Sequence, residues 1–129
     1  MITNICFAII FLLMMFSGCV KEESLTPELQ GAWVESSLRE DTIIFNSPDF
    51  DFGENWFDLR REGMISSGPY EYRIHGDSIS VHWMLSSCTC WEIYYFRLDN
   101  RKDEFRIGNF YYSEELNSES LIFVKIQHK

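Results

Sequence analysis

The sequence predicts an all-β fold, a small eight-stranded antiparallel up-and-down barrel, for residues 29–129. From Gly31 onward, short runs rich in β-branched and aromatic residues are separated by turn residues about every eight to twelve positions. No stretch keeps the 3.6-residue period of an amphipathic helix, so no helical crossovers are expected and the strands pair antiparallel. An eight-stranded meander can close into a barrel, which leaves no exposed sheet edge.

The predicted strands are residues 30–38, 40–46, 54–61, 69–75, 78–85, 91–99, 104–111 and 119–127. The clearest hairpin turns at Gly76 and Asp77, because a two-residue loop that begins with Gly suits a type I′ or II′ turn. This turn pairs His75 with Ser78. Every pair on one face of the hairpin is then apolar and every pair on the other face is polar, so the register is internally consistent.

The next hairpin has a four-residue loop at 100–103. That loop sets Leu98 against Phe105, and it also places Arg97 directly opposite Arg106. If this pair faces inward, two guanidinium groups form a site for a carboxylate or another anion. The outward orientation is favoured, because the alternate positions of both strands are apolar and water then screens the two charges.

The first 18 residues predict a cleaved export signal. Residues 5–16 form an unbroken apolar run of twelve, which is followed by Ser17, Gly18 and Cys19. This is the pattern of a signal-peptide hydrophobic region and its cleavage site. A helix that crosses the bilayer needs about twenty apolar residues, so a permanent membrane span is not expected.

Small residues before Cys19 resemble the lipobox of bacterial lipoproteins. The resemblance implies that the chain is cut before Cys19, that this cysteine carries the acyl chains, and that residues 19–28 form the lipidated cysteine and its tether. Several acyl chains explain stable anchoring. Residues 20–23 (VKEE) are similar to a tag for export to the outer face of the outer membrane, or they are simply a charged tether. Either way, the domain is expected outside the cytoplasm. The expected location is the cell envelope, lipid-anchored in the outer membrane and surface-exposed or facing the periplasm.

Charge excludes one class of partner. The chain has 11 Lys and Arg against 20 Asp and Glu, a formal net charge of -9, and all of these residues follow Cys19. A surface with this charge repels the phosphates of nucleic acid, so no nucleic-acid partner is expected. The expected partners are the membrane, through the lipid on Cys19, and a small apolar ligand or another protein.

Two cysteines remain for disulfide chemistry once Cys6 leaves with the signal and Cys19 carries lipid. Cys88 and Cys90 form either a short disulfide or two inert thiols. With His82 they could supply three ligands to a soft metal, but the chain has no C-x-x-C and no His pair at helical spacing. The sequence therefore predicts no metal site and no cofactor.

Leu29-Gln30-Gly31-Ala32-Trp33 follows a short helical turn and opens the first strand. This G-x-W resembles the opening motif of the lipocalin and wider calycin families, and the run from Tyr70 to Val81 with the final LIFVK looks like the lipocalin-like domains of bacterial lipoproteins. The resemblance implies that Trp33 closes one end of the barrel, with Lys125 on the last strand as the nearest candidate for the basic residue that packs over it. It also implies a small apolar or amphipathic ligand.

The long connection between the second and third strands is acidic and aromatic. It is either a solvated loop or, as the lipocalin resemblance implies, a lid over the open end of the barrel. Trp56 and Phe57, together with Arg97 and Arg106, are the candidate ligand contacts. No G-x-S-x-G or other nucleophile motif is present, so catalytic residues are not expected and the protein is not predicted to be an enzyme.

Two functions remain open from the sequence. One is a lipocalin-like carrier that binds a small apolar or amphipathic molecule in its barrel. The other is a barrel filled by its own aromatic side chains, which are 16% of the chain, serving as an envelope or protein-interaction module.

Overall fold

The computed structural model describes residues 27–63, 66–111 and 119–127. A 3₁₀ helix, Pro27–Leu29, precedes the sheet. The strands are β1 (Gly31–Glu35), β2 (Thr42–Phe45), β3 (Trp56–Arg60), β4 (Gly68–His75), β5 (Ser78–Trp83), β6 (Glu92–Leu98), β7 (Glu104–Gly108) and β8 (Ser120–Lys125). The predicted signal peptide, Cys19 and the tether up to residue 26 lie outside these ranges.

The eight strands form one closed antiparallel barrel in the order β1 to β8, in which β8 pairs with β1. The prediction of an all-β, eight-stranded barrel is therefore confirmed, and the order of the strands is up-and-down. Across the three described ranges, no helix has the length and hydrophobicity needed to span a bilayer.

Both predicted hairpin registers are confirmed. In β4–β5, His75 pairs with Ser78, and the apolar pairs lie on the inner face. In β6–β7, Arg97 pairs with Arg106. Side chains alternate between the faces of a strand, so the burial of Phe96 and Ile107 inside the barrel leaves the two arginines exposed outside it.

Seven of the eight strands are shorter than predicted, and β4 begins one residue earlier than predicted; at β1 a local turn ends the strand early. Residues 30–38 were predicted as the first strand, yet β1 ends at Glu35 and a turn follows. A carboxylate oxygen of Glu35, a residue that is only 2% exposed, accepts hydrogen bonds from the backbone N–H groups of Ser37 at 2.9 Å and Leu38 at 2.8 Å. Arg39 then takes a positive φ of 60°, which no regular strand can contain.

Aromatic rings occupy the centre of the barrel. A continuous series of ring contacts begins at Trp33, which lies 4.9 Å from Phe105 between ring centroids. It continues over Phe105–Phe45 at 5.9 Å, Phe45–Phe57 at 5.4 Å, Phe57–Phe110 at 5.7 Å and Phe110–Tyr111 at 4.9 Å. Edge-to-face and offset pairs of this kind stabilise a core beyond their buried area, by about 0.5–1.5 kcal/mol each. We call this series the aromatic column.

Candidate functional site

One end of the barrel is closed by the 3₁₀ helix. Trp33 is fully buried there, and its indole Nε1 donates a hydrogen bond to the carbonyl oxygen of Leu29 at 2.8 Å. Lys125, the β8 partner of Trp33, places its Nζ 5.1 Å from the centroid of the Trp33 ring and donates to the carbonyl oxygen of Glu28 at 2.9 Å. Gly31 has a φ of +110°, which favours glycine, so the chain can turn from the helix into β1.

The opposite end of the barrel is closed by side chains from the β7–β8 connection. The ring of Phe110 packs against Tyr70 at 5.3 Å and Tyr94 at 6.2 Å as well as Phe57. Tyr111 lies beside Phe110, and the guanidinium of Arg61 lies 4.4 Å above its ring centroid. The described part of this connection therefore places two aromatic rings in the mouth of the barrel.

Charged side chains complete this second closure. Arg61 Nε lies 3.3 Å from Asp41 Oδ1, and the Arg61 side chain is only 6% exposed. Sequence reasoning missed this pair and missed the two rings, because residues 104–111 were predicted as one continuous strand. The available signal was Gly108-Asn109, which interrupts the apolar run before Phe110.

The apolar interior of the barrel raises the pKa of two buried tyrosines. Burial raises the pKa of Tyr70 to about 12, and the Tyr70 hydroxyl donates to the carbonyl oxygen of Ser66 at 2.9 Å. Burial also raises the pKa of Tyr72, whose hydroxyl has no hydrogen-bond partner among the described residues. The interior therefore keeps both phenols neutral.

The structure separates Trp56 from Phe57. Phe57 points into the barrel and stacks on Tyr70 at 5.3 Å, whereas Trp56 pairs with Glu71 on the outer face. Trp56 is nevertheless only 2% exposed, because the β2–β3 connection folds back over it and Phe52 packs against its ring at 5.1 Å. The two residues lie on opposite faces of β3, so they cannot line one interior site.

The sequence left two interpretations of the β2–β3 connection open, a solvated loop and a lid over the open end of the barrel, and its place in the fold does not fit the lid. Strand β2 runs back toward the start of β1, so the β2–β3 connection, residues 46–55, lies at the end that the 3₁₀ helix closes. Arg60 pairs with Asp49 of this connection at 2.6 Å and with Asp58 of β3 at 3.0 Å. The bond to Asp58, more than that to Asp49, raises the pKa of Arg60 further above its ordinary value. These contacts hold the connection against the outside of the barrel.

Arg97 and Arg106 line a groove on the outer face of β6, β7 and β8. The volume of this groove is about 540 Å³. Its lining residues are Tyr95, Arg97, Asp99, Glu104, Phe105, Arg106, Glu119 and Ser120. Among residues 27–63, 66–111 and 119–127, no carboxylate lies within 4.0 Å of either guanidinium. Two like charges directly opposed on a sheet repel each other, so an anion placed between them is stabilised.

Apolar residues extend this surface along β6. Ile93 is 71% exposed and Tyr95 is 44% exposed, and both lie on the same face of β6 as Arg97. We call the groove together with Ile93 the β6–β8 surface. An exposed tyrosine ring and two arginines are residue types that protein interfaces favour, and Ile93 adds apolar area beside them.

Cys88 and Cys90 are joined by a disulfide, which decides between the bridge and the two free thiols that the sequence left open. Nowhere in the described ranges do three or more His, Cys, Asp or Glu side chains come together in a way that could hold a metal ion.

Comparison with protein-family models, with curated proteins and with solved structures gives no match to this chain.

Proposed function

We propose that this chain is a lipid-anchored, extracytoplasmic interaction module. In this proposal a lipocalin-like barrel, filled by its own aromatic rings, binds a protein partner through the β6–β8 surface. The observation that carries the proposal is the aromatic column from Trp33 to Tyr111. An eight-stranded barrel is only just wide enough for side chains to fill, so the column takes the space that a ligand would need.

The lipocalin-like character rests on two features. One is the G-x-W at Gly31 and Trp33, which comes immediately after a helical turn. The other is the pairing of Trp33 with a cation on the last strand, since Lys125 lies over the indole and ties it to the 3₁₀ helix through Glu28. Both features concern how the barrel is closed, and neither requires a ligand.

The anchor rests on Cys19 and the small residues before it. Cys19→Ser removes the sulfur that takes the lipid, so the variant should leave the membrane fraction and lose acyl labelling. Membrane retention equal to that of the unaltered chain would overturn the anchoring part of the proposal.

The partner surface rests on charge and exposure. A protein with a net charge of -9 repels most acidic surfaces, yet Arg97 and Arg106 place two adjacent cations in a groove whose other charged lining residues are Asp99, Glu104 and Glu119. Ile93 and Tyr95 offer apolar area beside the two arginines. The partner that fits is a protein segment that carries a carboxylate to the two arginines and apolar side chains to Ile93 and Tyr95.

Site-specific photo-crosslinking tests this surface. A benzophenone-bearing phenylalanine replaces Tyr95 in one variant and Phe50 in the control, since both native residues are exposed aromatics but lie on different parts of the barrel. In the cell envelope, the variant at position 95 should give one discrete adduct that the variant at position 50 lacks. Adding Arg97→Glu and Arg106→Glu should abolish the adduct. Equal adducts at both positions, or an adduct that survives the charge reversal, would overturn the proposed surface.

A second function, a carrier of a small apolar or amphipathic molecule, is favoured by one observation. The Tyr72 hydroxyl is buried in the barrel without a partner in the described part of the chain, and a polar group of a ligand would satisfy it. Native mass spectrometry of the full chain, purified in detergent from the envelope, separates the two functions. A bound mass of a few hundred daltons would move the function into the barrel, and a bare chain would support the filled interior.

A further inference from the structure

An exposed disulfide lies in the β5–β6 connection. Cys88 and Cys90 are both exposed, and their Cα atoms lie 5.2 Å apart. The bridge spans the single residue Thr89. Neither cysteine lines the groove of the β6–β8 surface.

The bridge contributes little to holding the barrel together. It joins one connection to itself and crosses no pair of strands, and a bridge that encloses so few residues removes little entropy from the unfolded chain. Other bonds already shape this connection: the Cys88 N–H donates to Ser86 Oγ at 3.1 Å, and the Ser86 N–H donates to the carbonyl oxygen of Trp83 at 3.0 Å. The fold therefore does not explain why two cysteines stand here.

Side chains on the outer face of β4 and β5 contact the β5–β6 connection. An imidazole nitrogen of His82, Nε2, lies 3.0 Å from the carbonyl oxygen of Cys88, and its Nδ1 lies 3.5 Å from a carboxylate oxygen of Glu71. The His82 ring packs on Trp91 at 5.6 Å, and the guanidinium of Arg73 lies 4.3 Å from the centroid of the Trp91 ring. Residues of β4 and β5 thus contact the peptide that carries Cys88 and the ring of Trp91, which follows Cys90.

From this placement we infer that Cys88–Cys90 is a redox-active disulfide that accepts an electron pair from a protein dithiol. Exposed disulfides are the ones that exchange readily, since an incoming thiolate needs access to a sulfur. The inference requires an oxidising compartment, and in that respect it rests on the extracytoplasmic location in the proposed function. It is independent of the β6–β8 surface.

The exchange balances without any other reactant. A thiolate of the partner attacks one sulfur of the bridge, the Cys88–Cys90 bond breaks, and the other cysteine leaves as a thiolate that takes up a proton. The second thiol of the partner then loses its proton and attacks the mixed disulfide, so the partner leaves as a disulfide. Two electrons and two protons pass from the partner dithiol to this chain, and Cys88 and Cys90 become thiols.

A synthetic peptide with two cysteines serves as the dithiol probe. The full chain in detergent is mixed with the reduced peptide under anaerobic conditions, and thiols are alkylated and located by peptide mapping. One equivalent of oxidised peptide should form per chain, and two new alkyl groups should be found at Cys88 and Cys90. The peptide should be oxidised at least tenfold faster than in the presence of the Cys88→Ser/Cys90→Ser variant. A bridge that stays oxidised under excess peptide would overturn the inference.

A folding control separates exchange from a structural role. If the bridge is redox-active, the Cys88→Ser/Cys90→Ser variant should keep the circular dichroism spectrum and the urea midpoint of the unaltered chain. Unfolding of that variant would make the bridge a structural staple and overturn the inference. The peptide assay uses no groove partner, so its failure leaves the β6–β8 surface standing, and loss of the crosslink at position 95 leaves the exchange standing.

Discussion

The two ends of the barrel are closed by different means. At the first end, the main closing contact is local, because the carbonyl oxygen of Leu29, four residues before Trp33, accepts a hydrogen bond from the Trp33 indole. Lys125 of β8 adds a contact from a distant strand. At the other end, the closure comes from distant parts of the chain, since Arg61 pairs with Asp41 from another connection and lies over Tyr111 from a third. The local part of the first closure can be recognised in a five-residue motif, whereas every contact of the second exists only once the barrel has formed.

The first end should be the more sensitive to truncation of a single side chain. Trp33→Ala removes a fully buried indole and the ring that begins the aromatic column, so the free energy of unfolding should fall by about 3–5 kcal/mol. Urea denaturation followed by circular dichroism measures the loss. Trp33→Phe is the matched control, because it keeps an aromatic ring but cannot donate to Leu29, and it should lose less. A loss below about 1 kcal/mol for Trp33→Ala would show that this end does not depend on the indole.

At the second end, the ion pair should matter most. Arg61→Met leaves Asp41 without its cation in a largely buried site, and the expected loss of stability is about 3 kcal/mol. Asp41→Asn should lower the free energy of unfolding much less in the Arg61→Met variant than in the unaltered chain, because both substitutions remove the same interaction. Strictly additive losses in that double-mutant cycle would mean that the two side chains do not stabilise each other.

The smallest expected effect is seen in alkaline solution. The pKa of Tyr70 is raised to about 12, so the folded state favours the neutral phenol, while tyrosine in the unfolded chain ionises near pH 10. The stabilisation is complete below pH 10 and is lost as the pH rises toward 12. Between pH 10 and pH 12 the unfolding free energy of the Tyr70→Phe variant should therefore fall less steeply than that of the unaltered chain. At pH 7 the variant should be less stable by about 1 kcal/mol, because it lacks the hydrogen bond to Ser66.

Tyr72→Phe is the control for that experiment. Burial raises the pKa of Tyr72 as well, but its hydroxyl has no partner in the described residues, so the variant should lose nothing at pH 7. Urea midpoints measured from pH 7 to pH 11.5 provide both comparisons. An equal loss at pH 7 for the two variants would contradict the hydrogen-bonding difference between the tyrosines.

The sequence predicted what depends on alternation and turn length. The Gly76-Asp77 turn and the four-residue loop at 100–103 fix their registers through contacts between neighbouring strands, and both registers are correct. The orientation of Arg97 and Arg106 followed from the same alternation. The number of strands followed from turn residues at regular intervals.

The sequence did not predict what covers a strand from outside. Trp56 was grouped with Phe57 because adjacent aromatics look alike in sequence, yet the burial of Trp56 depends on a connection that folds back over β3. The place of that connection could have been found by counting strand directions from Trp33. The insertion of Phe110 and Tyr111 could not, because it requires the three-dimensional path of the β7–β8 connection.

Because β8 pairs antiparallel with β1, both ends of the described chain leave the barrel at the same pole, the one that Trp33 closes. A chain held to a bilayer through Cys19 would therefore stand with this pole toward the lipid. The β5–β6 connection and its disulfide would then face away from the membrane, where soluble proteins can reach them. The β6–β8 surface would run up the flank, within reach of a neighbour anchored in the same leaflet.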